Sequence, residues 1–107
     1  MPSVPNGQVD LLLLAVVAAG PIHGYGIVEA LRERSGGAFD LPEGTIYPSL
    51  YRLERQGLVA SRRQQVGARQ RRVYRLTPAG RRAMAERRGA WDELAAGMTA
   101  VLKGATR

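Results

Sequence analysis

The chain has 107 residues, the size of one ordinary domain, and its 45% hydrophobic and 23% charged residues describe a sequence that buries a core and is neither disordered nor of low complexity. No cysteine and a single histidine exclude a disulfide framework, a thiolate zinc site, a cysteine nucleophile and a His-rich metal cluster; a reducing compartment, the cytoplasm, is expected. The net charge of +7 is unevenly spread, because residues 1–50 hold two arginines against five acids while residues 51–107 hold 14 basic groups against four acids. A basic half on a small domain calls for a polyanion.

Met1–Gln8, with Pro2, Pro5 and Gly7, reads as a flexible N-terminal arm. Val9–Ala19 reads as a buried apolar helix stopped by Gly20-Pro21. Its apolar run, Leu11 to Ala19, is about half the length of a bilayer crossing, and no basic residue precedes it as in a signal peptide, so no membrane association is expected. A second helix is predicted from about Tyr25 to Arg34, with Ile27, Val28 and Leu31 on one face, ended by Ser35-Gly36-Gly37.

In a third helix, closed by Gly57, Ile46, Leu50 and Leu53 form a core stripe. Thr45, Ser49, Arg52 and Gln56 are placed opposite it, with Tyr47, Pro48 and Tyr51 on the flanks. Pro48 is assigned to the first turn, where a missing N–H has no intrahelical partner. Two strands, Leu58–Gln64 and Gln70–Thr77, flank a five-residue loop, 65–69, bent at Gly67. Six arginines and no acid lie between Ala60 and Arg75, a density suited to a phosphate backbone. The last helix starts with Thr77 as N-cap and Pro78 at the first position, and continues to about Lys103. Met84, Trp91 and Met98 repeat every seven residues, with Leu94 and Val101 three further on, a coiled-coil-like seam that needs a partner surface.

Three short helices, a basic two-stranded ribbon and an amphipathic helix follow the order of a winged helix-turn-helix: mainly α with a two-stranded β-wing, plus a C-terminal helix that needs a partner surface. The expected division is an arm at 1–8, a winged DNA-binding domain at 9–77, and that helix with its tail at 78–107. Thr45, Tyr47, Ser49 and Arg52 are the candidates for contact in the major groove of double-stranded DNA, and Arg69, Arg71 and Arg72 for phosphate contact from the wing. His23 reads as structural, bonding backbone at the start of the second helix. No nucleophile with a base, no carboxylate pair and no phosphate-binding glycine loop is present, so neither enzyme activity nor a cofactor or metal is expected.

Gly20-Pro21-Ile22-His23-Gly24-Tyr25, then Gly44-Thr45-Ile46-Tyr47-Pro48-Ser49-Leu50-Tyr51-Arg52-Leu53-Glu54 with Gly57-Leu58, then Tyr74-Arg75-Leu76-Thr77-Pro78-Ala79-Gly80 resemble the PadR family of bacterial transcriptional regulators. The resemblance runs from about Leu11 to Leu102. In the wing, Ala68-Arg69-Gln70-Arg71-Arg72-Val73-Tyr74 keeps the family's charge but lacks its usual proline and one tyrosine. The resemblance implies a homodimeric repressor whose last helix packs on the partner subunit. It also implies a second role for Trp91 beside packing at the dimer seam: some family members stack a planar aromatic effector on a tryptophan of this helix. Met84, Leu94, Ala95, Met98 and Val101 would line that site. A symmetric dimer requires an inverted-repeat operator with half-sites about 34–36 Å apart. Two other classes stay open: a basic RNA- or ribosome-binding domain, and an adaptor that offers its last helix to another protein.

Overall fold

In a computed structural model describing residues 2–105, the elements run α1 (Asn6–Ala18), β1 (Ile22–His23), α2 (Gly24–Arg34), α3 (Glu43–Arg55), β2 (Val59–Val66), β3 (Arg69–Leu76) and α4 (Pro78–Ala105). The strands form one antiparallel sheet in the order β1-β3-β2. The ribbon therefore has a third strand, in which Ile22 pairs with Tyr74 and His23 with Val73. A two-residue strand is too short to show a period in the sequence.

Helix α1 is apolar on nearly every side and is correspondingly the centre of the core, burying Val9, Leu13, Leu14, Val16 and Val17. It begins at Asn6, capped by Pro5, so residues 6–8 form its first turn rather than part of an arm. Val4 already packs against the core. Around α1 close Ile27 and Leu31 of α2, Ile46, Leu50 and Leu53 of α3, and Val59, Tyr74 and Leu76 of the sheet.

Pro48 is the sixth residue of α3, not part of its first turn. It has no N–H to donate to the Gly44 carbonyl, but Gly44 and Pro48 are both exposed, where water satisfies that oxygen. Helix α3 ends in a Schellman motif: Gly57, at φ +75°, donates to the Glu54 carbonyl and Leu58 to the Leu53 carbonyl, both at 3.0 Å. The hairpin loop is two residues, Gly67-Ala68, not five, since Val66 pairs directly with Arg69. Only Gly67 takes a positive φ there (+60°), the pattern of a type II′ turn that suits the twist of a ribbon.

The start of α4 is fastened to the end of α3. The Thr77 hydroxyl shares its hydrogen between the carbonyls of Gly57 (2.7 Å) and Leu58 (3.0 Å), and accepts from the Gly80 amide at 2.9 Å as a helix N-cap. At Gly80 the Leu58 carbonyl oxygen approaches so closely that a Cβ would collide with it. Met84 lies against the core, but from Arg88 onward α4 is almost wholly exposed. With 28 residues, and so about 42 Å in length, it gives the chain its long dimension of 61 Å against 28 and 20 Å.

Gly80→Ala must push α4 off the Leu58 backbone, a displacement no side-chain rotation can absorb. We predict a loss of about 3 kcal/mol in urea unfolding at fixed protein concentration, against less than about 0.5 kcal/mol for Gly89→Ala, which meets open space. Equal effects would contradict the close approach.

Candidate nucleic-acid interface

The exposed side of α3 is decided by what its other side buries. Ile46, Leu50 and Leu53 are completely buried, and Ser49 joins them at 3% exposure. At about 100° per residue, Ser49 lies only about 60° from Ile46, on the edge of the core stripe. Arg52 has the same inward bias: its Nη2 donates to Asp10 Oδ1 on α1 at 2.7 Å and to Ser49 Oγ at 3.2 Å. The Asp10 side chain is only 11% exposed, so this ion pair ties α1 to α3. Ser49 thus leaves the set of groove-facing candidates, Thr45 is half-buried, and Arg52, its side chain 41% exposed, is turned toward Asp10 at the edge of that face. The face that does reach solvent is Gly44, Tyr47, Pro48, Tyr51 and Arg55. Tyr51 is 65% exposed, with the Arg55 guanidinium 5.8 Å from its ring centre.

Tyr47 is steered by a glycine. A Cβ on Gly24 would fall 2.6–2.9 Å from three atoms of the Tyr47 ring and hydroxyl, so the bare backbone at the start of α2 is the surface on which that ring lies. Burial, and then the charge of Glu43, raise the Tyr47 phenol above its ordinary pKa. Burial raises Tyr74 as well, reinforced by Glu54 and Tyr47 and opposed by Arg72. Both are neutral hydroxyls at physiological pH, able to donate to an anion.

Between Tyr47 and the wing runs an open cleft of about 690 Å³, lined by His23, Gly24 and Tyr25 on one side and by Val66, Arg69, Gln70, Arg71, Arg72 and Tyr74 on the other. The predicted wing residues Arg69, Arg71 and Arg72 are exposed and line this cleft, and Arg62, Arg63 and Arg75 are exposed on the same ribbon. His23 supplies the extended residue before α2, with its backbone in β1; its side chain makes no capping bond to the helix. Among the described residues no cluster of three or more His, Asp or Glu could hold a metal ion, and no helix is long and apolar enough to cross a membrane.

The residues predicted around Trp91 separate. Met84 packs against the winged core and Ala95 is half-buried, whereas Trp91, Leu94, Met98 and Val101 are 46–76% exposed. Trp91 instead borders an apolar cavity of about 490 Å³ with Val4, Pro5, Leu11, Leu12 and Phe39, between the chain's beginning, α1 and α4. Leu94 still adjoins Trp91 in a groove shared with Gln8, Leu11 and Arg87, and with Met98 and Val101 it lines another farther along the helix.

The family model of the transcriptional regulator PadR-like family matches residues 13–86, from α1 through the wing to the first turns of α4. The chain belongs to the PadR-like family of transcriptional regulators. It is 44% identical over 90 residues to the transcriptional regulator Rv3488 of Mycobacterium tuberculosis, covering 84% of this chain and 81% of that one. The PadR family transcriptional regulator of Eggerthella lenta superposes with a TM-score of 0.81 at 32% identity, over 90% of this chain and 82% of that one. The fold is shared with Bacillus subtilis PadR, solved in complex with operator DNA (TM-score 0.69, 24% identity, 74% of this chain and 45% of that one). Family membership makes this chain a winged-helix transcriptional regulator rather than an enzyme, and the family model's own match ends at residue 86, before the exposed apolar part of α4.

Two outcomes test this PadR-like surface. Arg52→Met leaves the buried Asp10 carboxylate unpaired and is predicted to cost about 1–2 kcal/mol in urea unfolding, discounted for the partial exposure of the arginine; Arg55→Met, on the exposed face, should change stability by less than about 0.5 kcal/mol. Equal losses would contradict the assigned rotation of α3. In an absorbance titration at 295 nm, Tyr47 and Tyr74 should ionise above the ordinary tyrosine range. Since their folded pKa values are raised, the stability they contribute is complete below about pH 10 and is lost as pH rises from there through the folded values. Four tyrosines ionising together at the ordinary value would contradict the two burials.

Proposed function

We propose that the chain is a cytoplasmic homodimeric repressor that binds double-stranded DNA at an inverted repeat. The observation that carries this reading is the juxtaposition of an acid-free arginine ribbon with Tyr47, at the edge of the exposed face of α3, across one open cleft. Helix α3 enters the major groove, where Arg55 reaches a base edge or phosphate and Tyr47 and Tyr51 reach phosphates and thymine methyls. The wing arginines contact the adjoining backbone. That Bacillus subtilis PadR, a protein with the same fold, was solved with operator DNA supports the geometry.

The apolar side chains left exposed on α4, including Leu94, Met98, Val101 and Leu102, are 53–76% exposed in one protomer, and burying them against a second copy supplies the dimer. Trp91 stands where that helix meets the apolar cavity, and a planar aromatic effector stacking on it would change the spacing of the two α3 helices.

Fluorescence anisotropy of a duplex from the gene's own upstream region, against a scrambled duplex, tests the central part. The upstream duplex should bind at least ~10³-fold more tightly, through a species of twice the 11.6 kDa chain mass, with affinity falling roughly 10³–10⁵-fold between 50 and 200 mM salt. Tyr51→Ala with Arg55→Ala should abolish the preference, whereas folded Arg52→Met retains it. Equal competition by structured RNA would overturn the DNA reading, and a monomer with intact binding would overturn the dimer.

A further inference from the structure

The ribbon holds an arrangement that its own stability does not favour. Arg63 and Arg72 are partners across the ladder and project from the same face, their Cβ atoms about 4.5–5.5 Å apart. Like charges in that position repel, and among the described residues neither arginine has a carboxylate within ion-pair distance. Both are exposed, with rotamers that could diverge into water. Arg72 is nevertheless held. Its Nη1 donates to Ser61 Oγ at 3.0 Å, and Ser61 in turn donates its hydroxyl hydrogen to Glu54 Oε2 at 2.6 Å. The same Glu54 oxygen accepts the Ser61 amide at 3.1 Å. With its hydrogen committed to the carboxylate, the hydroxyl has only lone pairs to offer Arg72, so the relay has one direction.

Glu54 belongs to α3, one residue before Arg55 and one turn after Tyr51. The relay therefore runs from the helix that carries the exposed tyrosine-arginine face to the wing, and holds Arg72 at a set distance from that face. We propose that Arg63 and Arg72 form a two-pronged clamp for a single DNA phosphate, and that Glu54 and Ser61 are positioning residues that aim it. One phosphate between two guanidiniums removes their repulsion and accepts charge-assisted hydrogen bonds from both. The inference rests on the DNA-binding reading above.

The test uses the full chain, the upstream duplex and a salt series from 50 to 200 mM, with Arg63→Gln, Arg72→Gln and the double variant. Each single variant weakens binding about tenfold. Because the two arginines share one phosphate per protomer, the double variant lowers the slope of log K against log[salt] by about two per dimer. A drop of about four would mean two separate phosphates and would overturn the clamp. Arg63→Gln carries an opposite signature in the DNA-free protein: relief of repulsion raises the melting temperature by about 1–4 °C at low salt. A fall in melting temperature would assign Arg63 to holding the wing together and overturn its role. Ser61→Ala weakens binding several-fold in the parent but not in the Arg72→Gln background, and Ser61→Thr restores it. Equal weakening in both backgrounds would make Ser61 structural only. If the parent protein shows no salt-dependent binding, the DNA reading itself fails; if it binds and the arginine variants bind equally well, only the clamp fails.

Discussion

The rotation of α3 about its own axis is the constraint on which the rest depends. Three fully buried residues, Ile46, Leu50 and Leu53, press it against α1, and the Asp10–Arg52 ion pair with Ser49 fastens one flank. Turning the helix by one residue, about 100°, would carry all three out of the core and, in one sense of rotation, bring Arg52 toward it, a change costing several kcal/mol. The outward face is therefore settled before any ligand arrives. It carries two tyrosines and an arginine because those are the positions the core does not need.

A second junction transmits that orientation to the other parts. The Schellman turn at Gly57 points two carbonyls, those of Gly57 and Leu58, at Thr77 and Gly80, so the end of α3, the base of the ribbon and the start of α4 meet at one place. The wing is anchored from one side by Glu54 through Ser61, and α4 is directed from the other. A shift at the far, apolar end of α4 therefore has a stiff lever back to α3. For the proposed dimer and the proposed effector at Trp91, this junction is the physical route by which either would alter the spacing of the proposed DNA-reading helices.

Much of this was legible in the residues. The turns at Gly20-Pro21 and Gly57, the capping by Thr77, the arginine-rich hairpin and the family motifs each have a local physical cause, and the elements they predict match those observed to within a few residues. What was not legible had causes beyond the local chain. Ser49 belongs to the edge of the buried stripe, and only the partner on α1, Asp10, turns the partly exposed Arg52 side chain toward the interior. Strand β1 has too few residues for a pattern and exists because β3 offers it an edge. Pro48 sits deeper in α3 than its chemistry suggests, because the helix starts at Glu43 and the unmatched Gly44 carbonyl faces water. Met84 keeps the heptad period with Trp91 and Met98, yet it is partly buried against the winged core.

The most direct measurement is backbone amide chemical-shift mapping of the isotope-labelled protein on addition of the upstream duplex. The account predicts shifts concentrated at Gly44, Tyr47, Tyr51 and Arg55 of α3 and along Arg62–Arg72 of the ribbon, with the distal residues Met98–Lys103 of α4 little moved. Shifts centred on the distal half of α4, with α3 and the ribbon unchanged, would contradict it and assign the recognition surface to the helix instead.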